Sequence, residues 1–253
     1  MKIQGKALLP PACKKGDRVA VVAPSGPFRL EWLEEGCQLL RSWGLEVVYD
    51  TTILSQWGYL AGSDQSRAEA LVQAFIDPSI RAVIAARGGY GAARILEHIP
   101  WHLLAQYPKR FYGFSDITML HSALRQKLNW ISFHSPMLAS QLFIEGSEES
   151  HERMKRALFA EDIKDICPPL TGEALSSGYA EGRLEGGNLA VVLSTLGTPQ
   201  QIDATDAILF FEDVGEPPYR IDRMFQQLAM AGILKQAKGI VLGDFGNLSD
   251  NYE

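Results

Sequence analysis

Residues Lys109–Leu124 read K-R-F-Y-G-F-S-D-I-T-M-L-H-S-A-L, and two periodicities meet there at one residue. The apolar and aromatic run Phe111-Tyr112-Gly113-Phe114 suits a buried strand. From Asp116 onward, Ile117, Leu120, His121 and Leu124 recur on one helical face. Ser115 therefore sits at the tip of a strand-to-helix turn. A serine so placed is pushed out of the sheet beside the free N–H groups of a helix start, which is the geometry of a nucleophilic hydroxyl with oxyanion donors at hand. The same position also suits a helix cap, with Asp116 favouring the positive helix end. Local sequence leaves both readings open.

Strands and helices alternate on either side of this turn. Arg18 to Pro24 is an apolar run that ends in Pro24-Ser25-Gly26, and a helix near Glu31 to Trp43 follows, closed by Gly44. Glu46 to Tyr49 reads as a second strand. Ser63 or Asp64 can cap a helix with Ala68, Leu71, Val72 and Phe75 inward. Ala82 to Ala86 is a third strand, broken sharply by Gly88-Gly89-Tyr90-Gly91, and Trp130 to Phe133 reads as a fifth after the strand before Ser115. Such strands imply a mostly parallel sheet covered on both faces, with ligands bound at its carboxyl ends. Three loops, at Pro24–Gly26, Arg87–Gly91 and Ser115, share that rim.

The pattern changes after Ser140. Glu145 to Glu161 is charged and helical, and Cys167-Pro168-Pro169 reads as a linker. A second unit follows, with Gly186-Gly187-Asn188 leading into an apolar helix from Leu189 to Leu196. Its strand Ala207 to Phe211 runs into Glu212-Asp213-Val214-Gly215-Glu216. Pro217 and Pro218 open a long helix, and a last strand spans Gly239 to Leu242. The expected domains are 1–165, a linker at 166–176, and 177–253.

Composition narrows the function. The chain has 253 residues, 46% hydrophobic and 21% charged, and 24 basic against 30 acidic residues give a net charge of −6. That balance argues against a general nucleic-acid binder. Cys13, Cys37 and Cys167 are far apart and show neither disulfide nor metal spacing. No apolar run suggests a signal peptide or a membrane span. A cytoplasmic protein without metal, cofactor, membrane or nucleic-acid partner is expected.

Several residue groups carry possible chemistry. The loop Arg87-Gly88-Gly89-Tyr90-Gly91 lets a ligand approach backbone N–H groups, and Arg87 can grip a carboxylate; Arg87 and Tyr90 are candidate substrate contacts. The loop could equally be a plain βα turn, and it matches neither a Walker loop nor a dinucleotide fingerprint. Glu212 and Asp213, at a strand end, can orient a histidine or stand as solvated turn carboxylates. Of the five histidines, His121 lies more than a turn past Ser115, and His134 reads as a satisfied, partly buried residue. None is an obvious general base, which a serine nucleophile needs.

The strings Gly16–Gly26, Ala86–Gly91, Gly113–Thr118, Phe133–Met137, Glu185–Leu189 and Phe211–Glu216, taken in order, resemble the LD-carboxypeptidase family. These serine peptidases include muramoyltetrapeptide carboxypeptidase and the microcin C self-immunity proteins. The resemblance implies an α/β architecture: an N-terminal parallel-sheet, flavodoxin-like domain, a smaller β-rich C-terminal domain, and a site at their junction, usually within a homodimer. It implies Ser115 as nucleophile, Glu212 orienting the base, and the amides of Asp116 and Gly89 as oxyanion donors. The family's histidine follows the strand matching Lys238–Gly243, and this sequence reaches Glu253 without one, so the C-terminal domain is expected to be truncated. The implied substrate is a murein tetrapeptide that loses its terminal D-alanine in peptidoglycan recycling. A peptidyl-nucleotide of the microcin C type is the alternative, disfavoured because all five tryptophans, Trp32, Trp43, Trp57, Trp101 and Trp130, precede the second domain. A third reading is a peptide-binding relative that lost its base.

Overall fold

Five short strands, apolar on both faces, pair in parallel: β1 (Arg18–Val22), β2 (Glu46–Val48), β3 (Ile80–Ala85), β4 (Arg110–Gly113) and β5 (Phe133–His134). Their order in the sheet is β2-β1-β3-β4-β5, the flavodoxin-like arrangement. The computed structural model describes residues 5–167, 169 and 171–246. They divide into two units, Met1–Leu170 and Thr171–Glu253, and the sheet belongs to the first.

Alternation along the strands fills both faces of this sheet. Val19, Val21, Ile84 and Tyr112 meet Leu33, Cys37 and Leu40 of helix Leu30–Ser42 and Met154 and Leu158 of helix Glu148–Phe159. On the other face, helix Asp64–Ile76 packs on β1 and β3, and its Phe75 ring lies 5.9 Å from Phe111 and 6.1 Å from Trp130. Ser63 caps that helix by accepting from the Ser66 amide, so Asp64 is its first residue.

Two adjacent cations at the start of β4 point to opposite faces, and each meets the carbonyl end of a helix. Lys109 donates to the carbonyls of Ala74 and Asp77, at the end of helix Asp64–Ile76. Arg110 is 1% exposed and donates to Pro10, Ala157 and Ala160, closing helix Glu148–Phe159 and tying in the N-terminal segment. Each cation faces the negative end of a helix. The Tyr112 hydroxyl adds a third tie to the Ala157 carbonyl at 2.6 Å.

Two boundaries differ from expectation. Trp130 does not join β5; it forms an isolated parallel bridge with Leu8. The backbone of Leu8 takes both hydrogen bonds at this point, donating to Asn129 and accepting from Ile131 at 2.8 Å each. The expected helix Glu145–Glu161 is instead a turn at Gln141–Ile144 followed by Glu148–Phe159, because Ser147 caps a fresh start through the Ser150 amide.

In the second unit, β6 (Arg183–Asn188), β7 (Ala207–Glu212) and β8 (Gly239–Leu242) form a parallel sheet in that order. Helices Leu189–Ser194, Pro218–Met230 and Ile233–Gln236 follow the successive strands or one another. Leu189, Val192, Leu209, Phe211, Met224 and Leu228 form its core. Strand β6 was not expected, and it sets Asn188 beside Glu212 in register.

The Arg110 arrangement predicts an asymmetry between cations. Arg110→Met should lower unfolding free energy by about 3 kcal/mol, because it leaves buried carbonyls without a donor. Arg81→Met, which removes only an exposed pair with Asp17 at 3.5 Å, should cost less than about 1 kcal/mol. Urea denaturation of both variants measures the difference.

Candidate active site

Strand order reverses between β1 and β3, so the loops after those strands diverge and leave a crevice at the carboxyl edge. The loops after β1, β3 and β4 are joined by hydrogen bonds at that edge. The Gly26 amide donates to the Gly88 carbonyl at 2.9 Å, and Ser25 and Ala92 both bond to Asp116.

Ser115 follows β4 with φ +60°, a left-handed conformation that costs a serine about 1–3 kcal/mol. Neither the turn Ser115–Ile117 nor helix Thr118–Leu128 carries a side-chain cap bond, so the capping reading of Ser115 does not hold. The surrounding packing forces the turn. A Cβ on Gly113 would stand 2.9 Å from Ile117, and one on Gly88 would stand 3.2 Å from the Ser115 hydroxyl oxygen. Glycine at both positions lets the turn close and lets the β3 loop pass directly over the serine. Ser115 itself is half-buried.

The Asp116 carboxylate holds these loops together. It is 6% exposed and accepts from the Ser25 hydroxyl at 2.6 Å and from the Ala92 amide at 2.8 Å, with a further backbone bond from Gly91. Burial pushes its pKa up, opposed by those hydrogen bonds and by the nearby Arg67 cation. Arg67, also buried, donates to the carbonyls of Pro24 and Gly91 and to Asp64. The resemblance implies a role for the Asp116 amide, and Ser25 is expected only as part of a turn; the bond between their side chains is a finding of the structure. The pair forms because β1 and β4 flank β3, an order that the sequence pattern does not encode.

Around this centre lie the other expected residues. Gly89 has φ +100°, which a residue with a side chain adopts only under strain. Neither its amide nor that of Asp116 enters a backbone hydrogen bond among the described residues. Arg87 is exposed and donates to the Pro27 carbonyl. Tyr90 is 51% exposed, its ring 5.8 Å from that of Tyr59, which is 66% exposed. A cleft of about 580 Å³ runs along these side chains.

The histidines stand apart from this arrangement. One ring nitrogen of His121 contacts the Gly113 carbonyl and the other the Ser132 hydroxyl, both at 2.8 Å, and burial pushes its pKa down to about 4. It braces the end of β4 as a neutral ring. His134 ends β5 with part of its surface open to solvent, but its ring lies 5.8 Å from Phe114 and 6.5 Å from His121, and burial pushes its pKa down to about 3. The resemblance places the family's histidine after β8, and residues beyond Gly246 lie outside the described ones. The last histidine of the sequence is His151.

In the second unit Glu212 is half-buried at the end of β7, with Asn188 as a hydrogen-bonding neighbour. Burial and then the Asp213 charge push its carboxyl up to about 7. Asp213 is buried and accepts from the Asn188 side chain at 3.0 Å and the Ala190 amide at 2.9 Å, so it anchors rather than reacts. Glu216 pairs with Arg220 at 2.9 Å. Asn188, which sequence reading passed over, thus touches both members of the acidic pair. Among the described residues no group of three or more His, Cys, Asp or Glu could hold a metal ion, and no helix is long and apolar enough to cross a membrane.

Comparison with known proteins converges on one family. A family model described as the LD-carboxypeptidase N-terminal domain matches residues 19–135, and one described as the LD-carboxypeptidase C-terminal domain matches residues 181–253. A Bacillus subtilis (strain 168) protein named probable murein peptide carboxypeptidase is 41% identical over 241 residues, covering 94% of this chain and 75% of its own length. The crystal structure of muramoyltetrapeptide carboxypeptidase from Oxalobacter formigenes matches with a TM-score of 0.79 and 33% identity, over 92% of this chain and 78% of that one. An MccF-like protein from Bacillus anthracis str. Ames matches with a TM-score of 0.84 and 26% identity, over 94% and 80%.

The raised Glu212 carboxyl has a consequence for stability. Below pH 4.5 the residue is protonated in both folded and unfolded chains. As pH rises from 4.5 to 7 the unfolded chain ionises first, so stability falls through that window and the full loss is present above it. Glu212→Gln removes this loss. The variant should match wild type near pH 4.5 and exceed it by about 2 kcal/mol at pH 8 in urea denaturation, the full shift being reduced by solvent screening at this half-buried carboxyl.

Proposed function

The chain belongs to the LD-carboxypeptidase family, and on that premise we propose that it is a serine carboxypeptidase. Its substrate would be a murein tetrapeptide, cleaved at the L,D bond to the terminal D-alanine during peptidoglycan recycling. The observation that carries the reading is the Ser115 backbone at φ +60°, uncapped, at the rim of a parallel sheet. Strain of this kind persists only where surrounding packing imposes it, and such residues cluster at active sites.

In this reading the Ser115 oxygen attacks the carbonyl of the residue before D-alanine. The amide N–H groups of Gly89 and Asp116 receive the developing oxyanion. The base would be the histidine that the resemblance places after β8, which this sequence does not contain through Glu253; oriented by Glu212, it would take the serine proton and return it to the departing amine of D-alanine. Water then cleaves the acyl-serine by the same route in reverse. Arg87 and Tyr90 contact the peptide. The setting is cytoplasmic and the protein a homodimer, as the family resemblance implies.

A peptidyl-nucleotide substrate is the second reading, supported by the likeness to the MccF-like structure. The resemblance to that branch implies an aromatic stacked on the nucleotide base, and the absence of tryptophan after residue 130 counts mildly against it.

The decisive assay is release of D-alanine from L-Ala-γ-D-Glu-meso-diaminopimelate-D-Ala by the native gene product. Ser115→Ala should lower the rate at least about 10³-fold. Equal release by both proteins would remove the serine mechanism, and cleavage of processed microcin C without D-alanine release would transfer the assignment to the second reading.

A further inference from the structure

We propose that the cavity between helix Asp64–Ile76 and the β2 edge of the first sheet binds a small organic cation, a primary ammonium on a short apolar stem. The cavity holds about 360 Å³ and shares no lining residue with the cleft along Tyr59 and Tyr90. The proposal therefore stands independently of the carboxypeptidase reading. Small-molecule pockets run from about 300 to 1,000 Å³, and this one suits a single ring or a short chain.

Unequal strand lengths open the cavity. Strand β1 pairs with β3 as far as Val22 but with β2 only as far as Ala20, so no strand lies beside Val21 and Val22 on the outer edge. Beyond β2 the chain bends into the turn Thr51–Leu54, which Asp50 caps by accepting from the Thr52 amide at 2.8 Å. The helix covers this gap only in part. It turns Ser66, Ala70 and Ala74, spaced four residues apart on one face, toward the cavity, and none is large enough to fill it.

The lining decides the charge of the ligand. Ala20, Val22, Ala74 and Ile80 give it a buried apolar side, the carboxylates Asp50, Glu69 and Asp77 also line it, and no Lys, Arg or His does. Asp77 is already compensated: the Ser79 amide and hydroxyl bond to it at 2.8 and 2.7 Å, and the Lys109 and Arg18 charges lie near. Asp50 and Glu69 are exposed and form no ion pair among the described residues. Each keeps one oxygen uncommitted, since Asp50 uses Oδ1 for the Thr52 amide and Glu69 uses Oε1 for the Gln65 side chain at 2.6 Å. The Thr52 amide also holds the Asp50 carboxyl below the usual carboxylate range. An ammonium entering here meets two unpaired carboxylates while its stem displaces water from the apolar side; an anion of the same shape is repelled.

Titration of the isotope-labelled chain with phenethylammonium, followed by amide chemical shifts, tests the site. The probe should give saturable shifts at Val21, Val22, Ala70 and Ala74. The neutral isostere phenethyl alcohol should bind about fivefold more weakly, and the anion hydrocinnamate more weakly still. Glu69→Gln should narrow the gap between ammonium and alcohol, and Ala70→Leu, which fills the cavity, should weaken all three probes. Because Glu69→Gln changes an exposed side chain and leaves the packing untouched, it reads the charge independently of how Ala70→Leu folds. Equal affinities for the three probes, a preference that Glu69→Gln leaves intact, or saturable shifts confined to Tyr59 and Tyr90 would overturn the site. Sedimentation separates a ligand from a second copy of the chain. An unchanged mass in Ala70→Leu supports the site, and a dimer lost in that variant would make this face an interface and defeat it.

Discussion

One buried carboxylate governs the upper edge of the first sheet. Asp116 takes the Ser25 hydroxyl from the loop after β1 and the Ala92 amide from the helix start after β3, while itself belonging to the turn after β4. Burying that charge costs several kcal/mol unless donors surround it. Here the donors come from three separate segments, so the carboxylate is satisfied only when all three loops are in place. Arg67 adds a second tie by bonding the Pro24 and Gly91 carbonyls from below. The strained backbone of Ser115 is adjacent to this anchor, and the anchor keeps it from relaxing.

The second unit uses the same device. Asp213, one residue past β7, accepts from the Ala190 amide at the start of the helix that leaves the neighbouring strand β6, and from the side chain of Asn188, the last residue of that strand. In both units an aspartate after one strand binds the N-terminus of the helix that follows the adjacent strand, where the helix end is positive. Glycines precede each of those helices, in a loop in the first unit and at the end of β6 in the second. The candidate nucleophile and the candidate orienting carboxylate, Ser115 and Glu212, each come immediately before the anchored aspartate. Their placement is therefore inherited from a neighbour whose own position is over-determined.

How much of this was legible in the sequence depends on the range of the interactions involved. The parallel sheet and the three rim loops followed from apolar runs separated by helical periodicity, which are local signals. Strand β6 escaped because Gly186-Gly187 interrupts its apolar pattern, and glycine is a poor strand former; only pairing with β7 makes it a strand. Trp130 was assigned to β5 on its own propensity, but the backbone of Leu8, more than a hundred residues away, takes up the hydrogen bonds there. The capping alternative for Ser115 could not be dismissed from sequence because a cap and an elbow use the same residue types. Its dihedral angle, the absence of a side-chain cap bond and Gly88 packed against it separate them. The roles of Ser25 and Asn188 depend on strand order, which no local pattern encodes.

The distribution of strain and support along β4 explains how a site of this kind is sustained. At the amino end of the strand, Lys109 and Arg110 close one helix on each face through backbone carbonyls. These contacts stabilise and leave little for chemistry to use. Past the carboxyl end, five and six residues beyond Arg110, the chain holds a left-handed serine and a buried aspartate, both of which oppose folding on their own. A short strand with both ends fixed cannot slide, so the stable end transmits rigidity to the strained one without any contact between them. The neutral His121 ring completes this by bonding the Gly113 carbonyl, the last residue of the strand, and holding it against Ser132. Hence the rim can carry a conformation that costs free energy locally, because Gly113 before the serine and Asp116 after it are both held by hydrogen bonds.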